Sequence, residues 1–521
     1  MANEVVECGA ATRETENCHD PFLTEQGNSV PKQREKSSLE KFKDHEYRRK
    51  FLHSVVLSCS SFVLGLVIGQ QGPTFLDLLI ITGVDLETGS SFFTAASCGY
   101  LFGSFVSGFL HGKVNDHIMM VVVSAGAGTA AIITPHCSPF WLMICIRFLT
   151  NMFCGGIDTF ANAQHLGLWG SEGRALLQFI HFTFALGGML TPLYTEPFLA
   201  EKDVSDDHTT DSQLSINTTA VPYSLNTSIM ENTSTSSHNM TISGDHQISS
   251  NVHYAFLITG ILSFLASIPY IVLYFTDKSG KSSSDGPSSD EKSRKVPLPL
   301  RVFMIIVLCL LYVVYCCVED TFASFLMTFV VNEYDHVTKS KGAYMTTFYW
   351  ASFAVGRFLS IFLAKYMRAV RLMYLCSTLM IIAYSAFLVS AHFAAIDALT
   401  VFAGLAGVAM SSLFPSGLSW TEAELMPVTG WISSFILIGS SIGMMVNPLI
   451  LGYLMEEVAN MWFCYLLLGE TLLMCVIFLF LLFFNRKYVN IKYGPVTLPV
   501  TSSVTVVAPP ESESLHSAKM L

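Results

Sequence analysis

Asp158, Asn162 and His165 stand at i, i+4 and i+7, so on a helix they share one face. A carboxylate beside an amide oxygen suits a hard cation such as sodium, and a carboxylate alone suits a proton. Gln178 and His181 are i, i+3 neighbours, and both donate and accept hydrogen bonds, as a polyol partner requires. Gln70 and Gln71 precede Gly72-Pro73, a pair that interrupts a helix and frees backbone groups to line a cavity. At least one of the two amides is expected to face that cavity. Glu319 and Asp320 are adjacent, hence about 100° apart on a helix. Tyr349 and Trp350 offer flat faces to C–H surface. Asp77, Asp116, Arg147, Arg357 and Glu422 are read as gating or structural charges. Arg147 and Asp158 are about 16 Å apart along a helix, so each needs another partner. For most of these residues the plain alternative is a hydrogen bond or ion pair between helices.

Other chemistries are missing from the pattern. There is no Gly-rich phosphate loop with its lysine and no HExxH pair, so neither nucleotide hydrolysis nor metal hydrolysis is expected. The net charge of −11 has the wrong sign for nucleic acid. The chain is read as a non-enzyme without a cofactor, and any energy it uses comes from an ion gradient.

The elements that must position these groups follow from composition. The chain has 521 residues, 51% of them hydrophobic and only 13% charged, with a mean hydropathy of +0.48. A soluble domain carries about 25% charged residues. Twelve apolar runs are long enough to cross a bilayer: about 51–80, 89–111, 117–135, 138–166, 174–198, 252–276, 302–331, 343–364, 371–391, 396–417, 428–454 and 461–485. The spacing therefore predicts an all-α polytopic membrane protein. The domains are a tail 1–50, six spans over 51–276, a linker 277–301, six spans over 302–485 and a tail 486–521. Ten cysteines lie inside apolar runs and the long loop has none, so no disulfide framework is expected.

Charge sets the orientation. With the N-terminus inside, outer loops hold only Lys202, Lys339 and Lys341, and most other basic residues are cytoplasmic, Arg48-Arg49-Lys50 among them. Four glycosylation sequons, Asn217, Asn226, Asn232 and Asn239, all fall in loop 201–251, which that orientation places outside. Both termini are expected in the cytoplasm.

The two halves repeat. Gly103-x-Phe105-x-Ser107 in span two matches Gly356-x-Phe358-x-Ser360 in span eight. Gly187-x4-Pro192-Leu193 in span five matches Gly443-x4-Pro448-Leu449 in span eleven, and Gly167-Leu168-Trp169 matches Gly417-Leu418-Ser419-Trp420. A parallel six-plus-six repeat is the pseudo-twofold architecture of major facilitator transporters. Gly112-Lys-Val-Asn-Asp116 resembles that superfamily's Gly-x-x-x-Asp loop, without the arginines that normally follow. Pro192, Pro415 and Pro448 are expected to bend their helices.

Longer stretches resemble the sodium-dependent glucose transporter family, a fucose-permease-like branch of the superfamily. They are Gly72-Pro73-Thr74-Phe75-Leu76-Asp77-Leu78; Gly156-Ile157-Asp158-Thr159-Phe160-Ala161-Asn162; Gln178-x-x-His181-Phe182-x-Phe184-Ala185-Leu186-Gly187; Tyr315-x-x-Val318-Glu319; Gly356-Arg357; and Ser411-Ser412-Leu413-Phe414-Pro415-x-Gly417-Leu418-Ser419-Trp420-x-Glu422. The family's helix-eleven Gly-Glu-Met reads Gly443-Met444-Met445 here, so any role of that glutamate is absent. The resemblance implies symport of glucose or another hexose with sodium, and a multi-pass plasma-membrane address, apical by family analogy. Substrate contacts are then expected at Gln70, Gln71, Asn162, Gln178, His181, Glu319 and Trp350, with ion coupling at Asp158 and Asn162. A monomer in the bilayer suffices for the fold. The alternatives are a proton-coupled or uncoupled carrier of a small neutral solute such as another sugar or urea, and a sensor on a transporter scaffold.

Overall fold

The computed structural model describes residues 42–169, 174–201, 250–276, 296–428 and 430–494. Every regular element among them is helical. All twelve apolar runs fold as helices, and their ends differ from the expected ones for local reasons. Span one is two helices, His45–Gly69 and Gln71–Thr82. The interruption falls at Gln70, and Pro73 sits in the first turn of the second piece, where a missing N–H does least harm. Span two is Leu86–Leu110, capped by Asp85, whose carboxylate accepts from the Thr88 N–H at 2.8 Å. That contact with Thr88 holds the Asp85 carboxyl below its ordinary range. Span three is Asp116–Ile133, span four Phe140–Trp169, span five Arg174–Thr195 and span six His253–Thr276. The four sequons lie outside the described residues.

Span seven, Leu298–Glu333, begins inside what the sequence suggested was linker, because Pro297 and Pro299 fit a helix start. Spans eight and nine are Lys339–Tyr366 and Ala369–His392. Span ten runs Ile396–Ser411 and then Leu413–Trp420, ending in a π-turn Thr421–Leu425. Its break falls at Ser412, not at Pro415. Pro415 has no N–H to offer the Ser411 carbonyl one turn earlier, so the ladder fails there. Spans eleven and twelve are Gly430–Glu457 and Trp462–Phe484. Among the described residues, eleven helices are long and apolar enough to cross a membrane, and span eight, which carries Lys339, Lys341, Arg357 and Lys365, is not one of them. All eleven described cysteines are free thiols.

Lys50–Leu521 forms one unit. The sequence repeat has a packing counterpart within it. A Cβ on Gly187 would meet the Phe62 carbonyl oxygen of span one, and a Cβ on Gly443 would meet the Val313 carbonyl of span seven at 2.8 Å. Matched glycines thus let span five approach span one, and span eleven approach span seven, as close helix packing in lipid requires. Gly187→Val is expected to cost about 1–3 kcal/mol through overpacking against backbone that cannot yield. Gly469→Ala, which faces open space, is expected to cost nothing measurable. Thermal melting of the two purified variants beside the parent checks this.

The two halves meet at the end reached by Thr82, Leu86 and Glu333, called the outer end after the charge-based orientation. Phe75 and Phe93 from the first half close on Phe325 of the second, with ring centroids 5.5 and 5.0 Å apart. All three are at most 2% exposed. Gly72 packs on the Ala323 carbonyl, and Gly452 on Ser90. The outer end is sealed.

Candidate functional site

On the inner side of the aromatic seal, charged and polar side chains from both halves converge. Asp158 on span four is engaged at both carboxylate oxygens. Tyr100 of span two donates to Oδ2 at 2.8 Å, and Asn162 Nδ2 donates to Oδ1 at 2.9 Å. The i, i+4 geometry expected from the sequence is present. The amide, however, turns its nitrogen to the carboxylate, so a cation using Asn162 Oδ1 requires the amide to turn over. His165 follows on the same helix and is buried near the inner end.

The second half answers with Arg357. Its Nη2 lies 3.8 Å from Glu319 Oε1, and its guanidinium stacks 4.7 Å over the Phe353 ring. Its charge also reaches Asp158 and His181 across the boundary between halves. The Arg357 Nε and the Tyr349 hydroxyl are buried without hydrogen-bond partners. Buried polar groups are normally paired, so these two donors leave hydrogen-bonding capacity beside the charge cluster. Gln178 and His181 are part-buried and make no hydrogen bond among the described residues. Four side chains from spans four, five, seven and eight therefore gather around one charge: Asp158, His181 and Glu319 around Arg357, with Gln178 one turn before His181 on span five.

The outer closure has its own charge. Asp77 is fully buried and receives three donors: Lys339 Nζ of span eight at 2.6 Å, the Ala200 N–H at 2.8 Å and Ser250 Oγ at 2.5 Å. Ala200 and Ser250 flank the long loop, so one carboxylate ties both loop stems to the opposite half. Glu196 and Ser340 make a second inter-half contact at 2.5 Å.

Other expected residues are placed differently. Gln70 and Gln71 do not face the cluster. Gln70 Oε1 accepts from Thr259 at 2.9 Å, and Gln71 Nε2 donates to Asn151 at 3.0 Å, so both amides tie helices of the first half together. Trp350 is only 6% exposed and packs over Gly188 of span five, between Phe184, Tyr349 and Phe353. In this state it has no free face for a ligand. Arg147 is buried with no carboxylate partner among the described residues. Asp116 pairs locally with His111 at 3.2 Å. Glu422 is exposed on the π-turn and has no ion-pair partner among the described residues, whereas its neighbour Glu424 meets Arg486 at 3.3 Å.

Comparison with known proteins adds the lineage. The family model described as Major Facilitator Superfamily matches residues 246–423. The solved major facilitator transporter FucP, in its outward conformation, superposes with a TM-score of 0.54 at 18% identity, over 83% of this chain and 99% of its own. The fold is that of a major facilitator transporter. A zebrafish (Danio rerio) protein named sodium-dependent glucose transporter 1 is 26% identical over 79% of this chain and 66% of its own length. The human (Homo sapiens) protein of that name is 26% identical over 76% of this chain and 72% of its own. The resemblance carried by the motifs thus extends along most of the chain.

Two groups, one in the candidate site and one in the outer closure, had no signal in the motifs. Tyr100 is the single tyrosine of span two, and only that isolation could have pointed to it. Lys339 lies 262 residues from Asp77, and nothing local links them.

Proposed function

We propose that this transporter carries glucose or a related hexose together with sodium across the plasma membrane by alternating access. The observation that carries the reading is the cluster spanning both halves: Asp158 held by Tyr100 and Asn162, facing Arg357 with Glu319. A carboxylate that must be neutralised before the halves can rearrange couples ion binding to conformation, because only differential stabilisation of one state moves the equilibrium. Gln178, His181 and Tyr349 supply hydrogen-bonding capacity of the kind a hexose hydroxyl matches. The relatives named sodium-dependent glucose transporters support both halves of the proposal. With the outer end sealed, the cluster belongs to a state that exchanges with the inner side.

A second reading, proton coupling, has specific support. Both Asp158 oxygens already have protein donors, and FucP is named a fucose:proton symporter. Uptake of labelled α-methyl-glucoside and fructose into oocytes, with sodium replaced by choline, separates the two. The expected result is saturable, sodium-dependent uptake that Asp158→Asn abolishes at unchanged surface expression. Uptake indifferent to sodium and steeper in acid moves the coupling to protons. No hexose flux at full surface expression overturns the sugar reading, and urea becomes the next solute to test.

A further inference from the structure

A second polar centre lies inside the C-terminal six-span bundle, away from the cluster at Asp158. Glu470 sits in span twelve, surrounded by an apolar helix, Trp462–Phe484. Its one hydrogen-bond contact is with Asn447 Nδ2 at 3.4 Å, and no lysine, arginine or histidine pairs with it among the described residues. Asn447 is 4% exposed and sits in span eleven. The same amide nitrogen also reaches Thr321 Oγ1 at 2.8 Å and the Cys317 carbonyl at 3.4 Å, both on span seven. One amide has two N–H groups, so three acceptors compete for two donors.

The next residue in span eleven is Pro448. It has no N–H for the Met444 carbonyl. That carbonyl instead accepts from Ser97 Oγ at 3.2 Å, and the Met445 carbonyl accepts from Thr94 Oγ1 at 2.7 Å. Both donors belong to span two, in the other half. Span eleven is thus held on one side by the Glu470–Asn447–span seven contacts and, within a turn, on its other side by the first half.

We propose that Glu470 is a coupling carboxyl. A monovalent cation neutralises it, and Asn447 and Pro448 transmit that neutralisation to the contact between halves. Ionised, Glu470 holds the Asn447 amide. Neutralised, it releases the amide to Thr321 and the Cys317 carbonyl, which repositions span eleven at Pro448 and hence the Met444 and Met445 contacts with span two. The titratable groups that interact with Glu470 are Cys317 on span seven and Tyr384 on span nine, and neither is a cation. The inference rests on the cation-coupled reading above, but its test needs no sugar.

The test is the melting temperature of the purified full-length chain. Sodium is exchanged for choline at constant ionic strength, and pH is then varied in choline. The parent is expected to gain stability from sodium, or from acid if the cation is a proton. Glu470→Gln, which stands in for the neutralised carboxyl, is expected to melt near the cation-loaded parent and to show no further gain. Glu470→Asp keeps the charge and is expected to keep the response with roughly tenfold weaker apparent affinity. If Glu470→Gln fails to fold, Asn447→Ala serves: the cation response is expected to survive, while gradient-driven uptake falls and exchange of solute at equilibrium persists. A Glu470→Gln response equal to the parent's, or an Asn447→Ala variant that loses uptake and exchange equally, overturns the proposal. A parent that responds to no cation at all overturns the coupled reading itself.

Discussion

Lys339→Ala is expected to open the outer end. The Lys339–Asp77 pair is 8% and 0% exposed, and removing one partner of such a buried pair costs about 3–5 kcal/mol, because the other charge is left uncompensated. Asp77 keeps the Ala200 and Ser250 donors, which are neutral and lie on its own half. Of the contacts Asp77 makes, only the one between halves is lost, so the cost falls on the sealed state, and the balance shifts by roughly 150- to 5,000-fold. A cysteine placed at Ser324, buried in the seal beside Gly72, reports it. Labelling by a membrane-impermeant maleimide, above the background of the native thiols, should rise from negligible to near complete with Lys339→Ala and stay low with Lys339→Arg. Equal labelling in all backgrounds would mean that the aromatic seal alone holds the end shut.

The second large effect is expected at Arg357. Its guanidinium is the cation that faces both Glu319 and Asp158. Arg357→Gln leaves two carboxylates across the boundary of the halves without a counter-charge. Hexose uptake should fall by about two orders of magnitude, in line with the cost of an unpaired buried charge. Arg357→Lys keeps the charge but loses the planar stacking on Phe353 and the forked donors, so it should recover only part of the rate. Charge balance makes a sharper check: Arg357→Gln with Glu319→Gln should transport better than Arg357→Gln alone, a coupling that a double-mutant cycle measures. Additive losses would assign Arg357 to packing.

The spans and their repeat were legible because hydropathy and recurring glycines are properties of one strip of chain. Asp158 with Asn162 was legible for the same reason, since i, i+4 neighbours meet whenever the helix forms. What lay between helices was not. Gln70 and Gln71 looked like cavity residues because their partners, Thr259 and Asn151, are on other spans. Trp350 looked available because nothing local shows Gly188 lying under its ring. Glu470 was hidden by its setting in the apolar final span, outside every motif. Pro415 misled by a few residues, since a proline's damage falls on the carbonyl one turn before it.

The burial of Asp77 has a bearing on any sodium titration. At 0.1–0.15 M salt the Debye length is about 8–10 Å, and exposed ion pairs weaken as salt is added. A latch on the surface would loosen with every rise in sodium concentration and would mimic ion dependence of flux. This one is shut away from bulk electrolyte. Ionic strength has little hold on it, so screening of the latch would not by itself produce a sodium-dependent rate.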